Sequence, residues 1–149
     1  MRSFDDFKGS VVLVTGGAGC VGSNLVRRLS ELEAKKVIIL DDLSSAYDWN
    51  IPSAPNIQFI HGSILDDGML RRAFKERPQY VFHLAAHFAN QNSVDNPEKD
   101  LMVSGLGILK VLEHAQLVDV DRFVYSSSGC GVYGLESKMP FEEHDISIS

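Results

Sequence analysis

Four glycines, Gly16, Gly17, Gly19 and Gly22, fall within seven residues and follow an apolar run, Val11 to Val14, that ends at Thr15. The run reads as a strand. Ser23-Asn24-Leu25-Val26-Arg27-Arg28-Leu29 then begins a helical pattern. Strand, glycine turn and helix in that order suit a phosphate. Glycine lets a phosphate approach the main chain closely. The helix start offers unpaired N–H groups and the positive end of its dipole. The plain alternative, a tight strand–helix connection with no ligand, accounts for one glycine but not for four, each of which costs chain entropy. No Gly-Lys-Ser/Thr follows, so the turn is not a Walker loop, and a dinucleotide or nucleotide phosphate is the expected ligand. Cys20 sits inside the turn, where its backbone matters more than its sulfur, and Val21 follows it.

Asp41 ends a second apolar run, Val37 to Leu40, nineteen residues beyond Gly22. A carboxylate there accepts hydrogen bonds from ribose hydroxyls and repels a 2′-phosphate, which favours NAD over NADP. Asp42 adds to that repulsion. A turn-forming Asp is the alternative. Ser126, Ser127 and Ser128 follow a further apolar run, Arg122 to Tyr125. A hydroxyl there could bond a substrate oxygen where charge changes during hydride transfer, or simply cap a turn or helix. His83 occupies an apolar position inside a strand and reads as a core histidine. His87 lies past the strand end and could contact a ligand.

The elements that place these residues alternate along the chain. Strands are expected over Val11–Thr15, Val37–Asp41, Ile57–Ile60, Tyr80–Leu84 and Arg122–Tyr125. Helices are expected over Gly22–Leu32, from an Asp66 or Asp67 cap to about Lys75, and from Pro97 to about Leu117. On the last, Leu101, Gly105, Ile108, Leu109, Leu112 and Ala115 share one apolar face. His87 to Asn96 is polar and fits neither pattern. The alternation predicts an α/β fold, a Rossmann-like doubly wound parallel sheet with helices on both faces. Ligands of such sheets bind beyond the carboxyl ends of the strands. The glycine turn, Asp41, Ser63, Ala85-Ala86 and Ser126 to Ser128 all fall there.

The 149 residues suit one domain, and 44% of them are hydrophobic. The net charge of −6, with acids and bases interspersed, argues against nucleic acid or an anionic membrane surface as main partner. No run of about 18 apolar residues suggests a membrane span. The N-terminus lacks a secretory h-region. Cys20 and Cys130 have no metal-ligand spacing, so no metal site is expected. Two reduced cysteines in a cytoplasmic protein fit this usage.

The stretches TGGAGCVGSNL (15–25), ILDDLSS (39–45), HLAA (83–86) and RFVYSSSGCGVYG (122–134) together resemble the extended short-chain dehydrogenase/reductase family, especially its NAD-dependent nucleotide-sugar epimerases. The resemblance covers nearly the whole chain. It implies that Gly16, Gly19 and Gly22, with Cys20 and Val21 between them, hold the cofactor pyrophosphate. Asp41 would bind the adenosine ribose, with Asp42, Leu43, Ser44 and Ser45 beside it. Ser63 and Ile64 would flank adenine, and Leu84, Ala85 and Ala86 would pass the middle of the cofactor. Ser104 stands where many members carry an Asn, and Ser63 where many carry an Asp. A serine of the 126–128 run would be the catalytic hydroxyl. One extra residue separates the serines from Val132-Tyr133-Gly134, and matching from the serines favours Ser128, then Ser127.

The largest departure concerns the family's catalytic base, a Tyr with a Lys four residues later. The residues four beyond Tyr47, Tyr80, Tyr125 and Tyr133 are Ile51, Leu84, Gly129 and Ser137. The resemblance therefore implies the N-terminal part of a longer enzyme: residues 1–149 as an incomplete NAD-binding domain, truncated after the fifth strand and lacking the family's Tyr–Lys segment and C-terminal substrate domain. The parent would be a homodimer acting on a nucleotide sugar, with the 97–117 helix at its interface. Gly129-Cys130-Gly131 carry no carboxylate after Ser128, which favours an epimerase over a dehydratase. A dehydratase or reductase of the same family, and an NAD-binding module without chemistry, are the alternatives.

Overall fold

The computed structural model describes residues 7–87, 90–127, 140 and 142. Five strands form one parallel sheet: β1 (Val11–Thr15), β2 (Lys36–Asp41), β3 (Ile57–His61), β4 (Tyr80–His83) and β5 (Arg122–Tyr125), in the order β3-β2-β1-β4-β5. The chain builds outward from β1 to β3 and then returns to the other flank of β1. The gap between β1 and β4 is thus the switch point of the sheet, where such folds open a crevice.

Alternate residues of each strand serve opposite faces. Val12, Val14, Val37 and Ile39 pack on Val26 and Leu29 of helix α1 (Cys20–Glu31). Val11, Leu13, Ile38, Leu40 and Val81 pack on Leu70 and Phe74 of α2 (Asp67–Phe74), and on Val111 and Ala115 of a helix that precedes β5. Burial on both sides explains why Val11–Val14 of β1 and Val37–Leu40 of β2 are apolar, as parallel strands between helical layers must be. Asp66 caps α2, its Oδ1 accepting from the Gly68 and Met69 N–H groups.

The segment without periodicity contains a short helix, α3 (Asn90–Asp95). The chain then runs helically from Pro97 to Val118. It comprises α4 (Pro97–Asp100), a π-helical stretch over Leu101–Gly107 and α5 (Ile108–Val118), with Pro97 in the first turn as expected. The apolar face read from the sequence divides. Ala115 joins Val111 in the core, whereas Leu101, Leu109 and Leu112 are exposed. The 22 residues are long and apolar enough to cross a membrane by length and composition. In this fold, however, Val111 and Ala115 cover the sheet, and Lys110 pairs with Asp67 at 3.1 Å. β5 is open to solvent, with Val124 and Tyr125 both exposed.

Candidate functional site

The carboxyl ends of β1 to β4 open on one cleft of about 360 Å3. The glycine turn supplies Gly16, Gly19, Cys20, Val21 and Gly22 to its lining, and Asp41, Asp42 and Ser44 follow from β2. Ser63 and Ile64 line it beyond β3, and Leu84, Ala85 and Ala86 beyond β4. Residues separated by up to 70 positions in sequence thus meet at one edge.

The turn is shaped for close approach. Gly16 has φ +70°, and a Cβ there would stand 2.7 Å from the Ala85 nitrogen, so β1 and β4 pass with no room for a side chain. A Cβ at Gly22 would overlap the Gly16 carbonyl oxygen. Helix α1 begins at once, with Gly19 at its N-cap and no side chain capping it. Its first N–H groups are therefore left for an external acceptor.

Asp41 is fixed from two sides. Its Oδ2 accepts from the Ala18 N–H at 2.9 Å and its Oδ1 from the Leu43 N–H at 2.9 Å. Leu43 takes φ +58°, a left-handed conformation rare for a leucine, and so turns its amide back to the carboxylate. Leu43 does not line the cleft; it acts through its backbone. Asn50 ties the following loop to the turn by donating to the Ala18 carbonyl at 3.1 Å.

At the neighbouring strand end Thr15 Oγ1 lies 2.8 Å from His83 Nδ1, both buried. Burial lowers the His83 pKa to about 4, so the ring is neutral at pH 7. Thr15 Oγ1 also accepts from the Ala85 N–H at 3.5 Å, which leaves its proton for the bare Nδ1 of that neutral ring. His83 is thus the core histidine expected from the sequence; it stacks on Tyr125 and meets the Phe123 ring at a tilt.

Ser104 stands behind the lining. Its hydroxyl accepts from the His87 N–H at 3.3 Å and donates to Asp100 Oδ1 at 2.9 Å. His87 lines the cleft, and its buried Nε2 has no hydrogen-bond partner among the described residues. Lys99 of α4 and Val103 of the π-helical stretch also reach the cleft, and Lys99 is the one Lys or Arg among the described lining residues. Sequence reading did not find Lys99 or Val103. Their only signal was their place after strand β4, since helix packing brings them back to the edge. The Ser126 N–H pairs with the His83 carbonyl at 3.2 Å, and Ser127 is exposed just beyond it. Ser128 lies outside the described residues. Among those described, no group of three His, Cys, Asp or Glu side chains could hold a metal ion.

A glycine cradle that a Cβ at Gly16 or Gly22 would fill, an uncapped helix start and an acid fixed at the end of the next strand fit a dinucleotide. Residues 12–148 match the NAD-dependent epimerase/dehydratase family. The chain belongs to that family. It is similar to a UDP-glucose 4-epimerase of Mycolicibacterium smegmatis, 39% identical over 134 residues that cover 88% of this chain and 42% of the relative. Among solved structures it is similar to an epimerase from the thermophilic methanogen Methanothermobacter thermautotrophicus, with 75% identity and a TM-score of 0.92. That match covers 98% of this chain and 43% of the other. A Thermus thermophilus UDP-glucose 4-epimerase complexed with NAD matches at 35% identity and a TM-score of 0.81, over 91% of this chain and 43% of the other. The chain therefore spans about two-fifths of the length of the relatives it matches. The two structural matches share the Rossmann-like parallel sheet of this chain.

Proposed function

We propose that this chain is the NAD-binding part of a cytoplasmic, homodimeric nucleotide-sugar epimerase that works by transient hydride transfer. Asp41 carries the reading. Its carboxylate is locked to the glycine turn by the Ala18 N–H, so pyrophosphate and ribose contacts are set by one rigid unit. The turn and the start of α1 hold the pyrophosphate. Asp41 accepts hydrogen bonds from the adenosine ribose and, with Asp42, repels a 2′-phosphate. Ser63 and Ile64 flank adenine, and Leu84 to Ala86 pass the middle of the cofactor.

Bound NAD supplies a reversible hydride acceptor. Ser128, with Ser127 as the second candidate, donates a hydrogen bond to the reacting sugar oxygen and orients it. No tyrosine of the chain has a Lys four residues later, so its own groups hold the cofactor and the sugar oxygen without a base to take the proton. Mixed with NAD and UDP-glucose or UDP-galactose, the chain is expected to give no turnover. The source reading frame past Ser149 tests the assignment. A Tyr-x-x-x-Lys shortly beyond supports it. A stop codon contradicts it and favours an NAD-binding module without chemistry.

A further inference from the structure

We infer that Lys110 is a positioning residue for the adenosine side of the cofactor, acting through the Ser63–Leu65 turn that it and Gly107 hold; this rests on the NAD-binding reading above. The turn leaves β3 and leads into α2, and its Ser63 and Ile64 line the cleft. In the order of the sheet β3 lies beyond β2, so the nucleoside held by Asp41 extends toward this turn. Part of its shape is internal. The Asp66 N–H donates to the Ser63 carbonyl at 3.1 Å, and the Leu65 N–H to Ser63 Oγ at 3.3 Å.

The rest comes from the helical run before β5, far away in sequence. Lys110 Nζ donates to the Leu65 carbonyl at 3.0 Å and to Asp67 Oδ1 at 3.1 Å. One ammonium thereby ties the end of the turn to the first residue of α2. A surface ion pair alone stabilises a fold little. The bond to the Leu65 carbonyl does something else: it fixes one backbone shape beside the cleft. Gly107, three residues earlier and so on the same helix face, completes the grip. A Cβ there would stand 2.5 Å from Ile64 Cδ1 and 3.0 Å from Ile64 Cγ1. Glycine at this position lets the Ile64 side chain seat against the helix, and Ile64 is buried. The cleft wall beyond β3 is therefore set by a helix that packs on it as well as by the strand that precedes it.

Calorimetric titration with NAD and with ADP, at a temperature where every variant is folded, compares wild type with Lys110→Met, Lys110→Arg, Gly107→Ala and Lys36→Met. ADP carries the whole adenosine side. Lys110→Met keeps an apolar stem and loses the ammonium. It is expected to weaken NAD and ADP by the same factor, about fivefold. Lys110→Arg keeps a charged donor and recovers part of that affinity. Gly107→Ala displaces Ile64 and again shows equal losses for the two ligands. Lys36→Met breaks the ion pair with Glu76, 3.3 Å long and at the opposite end of the sheet. It is expected to keep wild-type affinity for both ligands, whatever its melting temperature. Wild-type affinity in Lys110→Met, a loss confined to NAD, or the same loss in Lys36→Met overturns the inference. A wild-type chain that binds no NAD overturns the proposed function itself, and the inference with it.

Discussion

The Ala18 N–H donates to Asp41 Oδ2 at 2.9 Å, so the last residue of β2 holds the glycine turn that follows β1. The Leu43 N–H occupies Oδ1. Each oxygen keeps a lone pair for a ribose hydroxyl. The same acid thus builds the turn and reads the ligand. Asp41→Ala removes a charged acceptor from two amides and is expected to lower stability by about 2–3 kcal/mol in urea unfolding. A change within a few tenths would show that the carboxylate does not brace the turn.

The glycines are predicted to differ in tolerance. A Cβ at Gly22 overlaps the Gly16 carbonyl oxygen, whereas one at Gly19 meets that oxygen at 3.3 Å. Gly22→Ala must move backbone and is expected to cost about 3 kcal/mol, while Gly19→Ala costs about 1. Thermal melts of the two variants should rank them in that order. Equal melting temperatures would contradict the geometry of the turn.

His83 gives the fold an acid limit. Burial depresses its folded pKa to about 4, below the ordinary 6.5. The unfolded chain therefore binds the extra proton between these values. The contribution is fully present above about pH 6.5 and disappears as pH falls toward 4, roughly 3 kcal/mol in all. Urea midpoints measured from pH 7 to 4 should fall steeply, and His83→Gln should flatten that slope. An unchanged slope in the variant would assign the acid sensitivity to other groups.

Much of this was legible in order along the chain. The apolar runs of β1 and β2, the glycine turn and the acid at Asp41 are local patterns set by burial on both faces and by a tight turn. Their convergence followed from strand–helix alternation alone. What escaped depends on contacts between distant segments. Lys99 and Val103 reach the cleft only because their helix packs back across the edge. Leu43 acts through a left-handed amide that its side-chain type does not announce. The π-helical stretch over Leu101–Gly107 adds residues per turn, so the face it presents drifts from the 3.6-residue pattern. Apolar spacing could not separate Val111, which is buried, from Leu109 and Leu112, which are not.

That outer face has its own consequence. Leu101, Leu109, Leu112 and Leu117 are exposed on one long helix, and apolar patches of this kind mark interfaces. The chain is expected to associate in solution as its concentration rises. Leu109→Lys with Leu112→Glu should shift it toward monomer in light scattering. A wild-type chain that stays monomeric throughout would contradict an interface here.

The central claim is that the cleft takes NAD with Asp41 on the adenosine ribose. Calorimetric titration of the chain with NAD and with NADP tests it most directly. The account predicts binding of NAD with NADP weaker by at least about tenfold, a difference of about 1.4 kcal/mol, because a 2′-phosphate would meet the carboxylates of Asp41 and Asp42. Equal affinity for the two, or no binding of NAD, would contradict it.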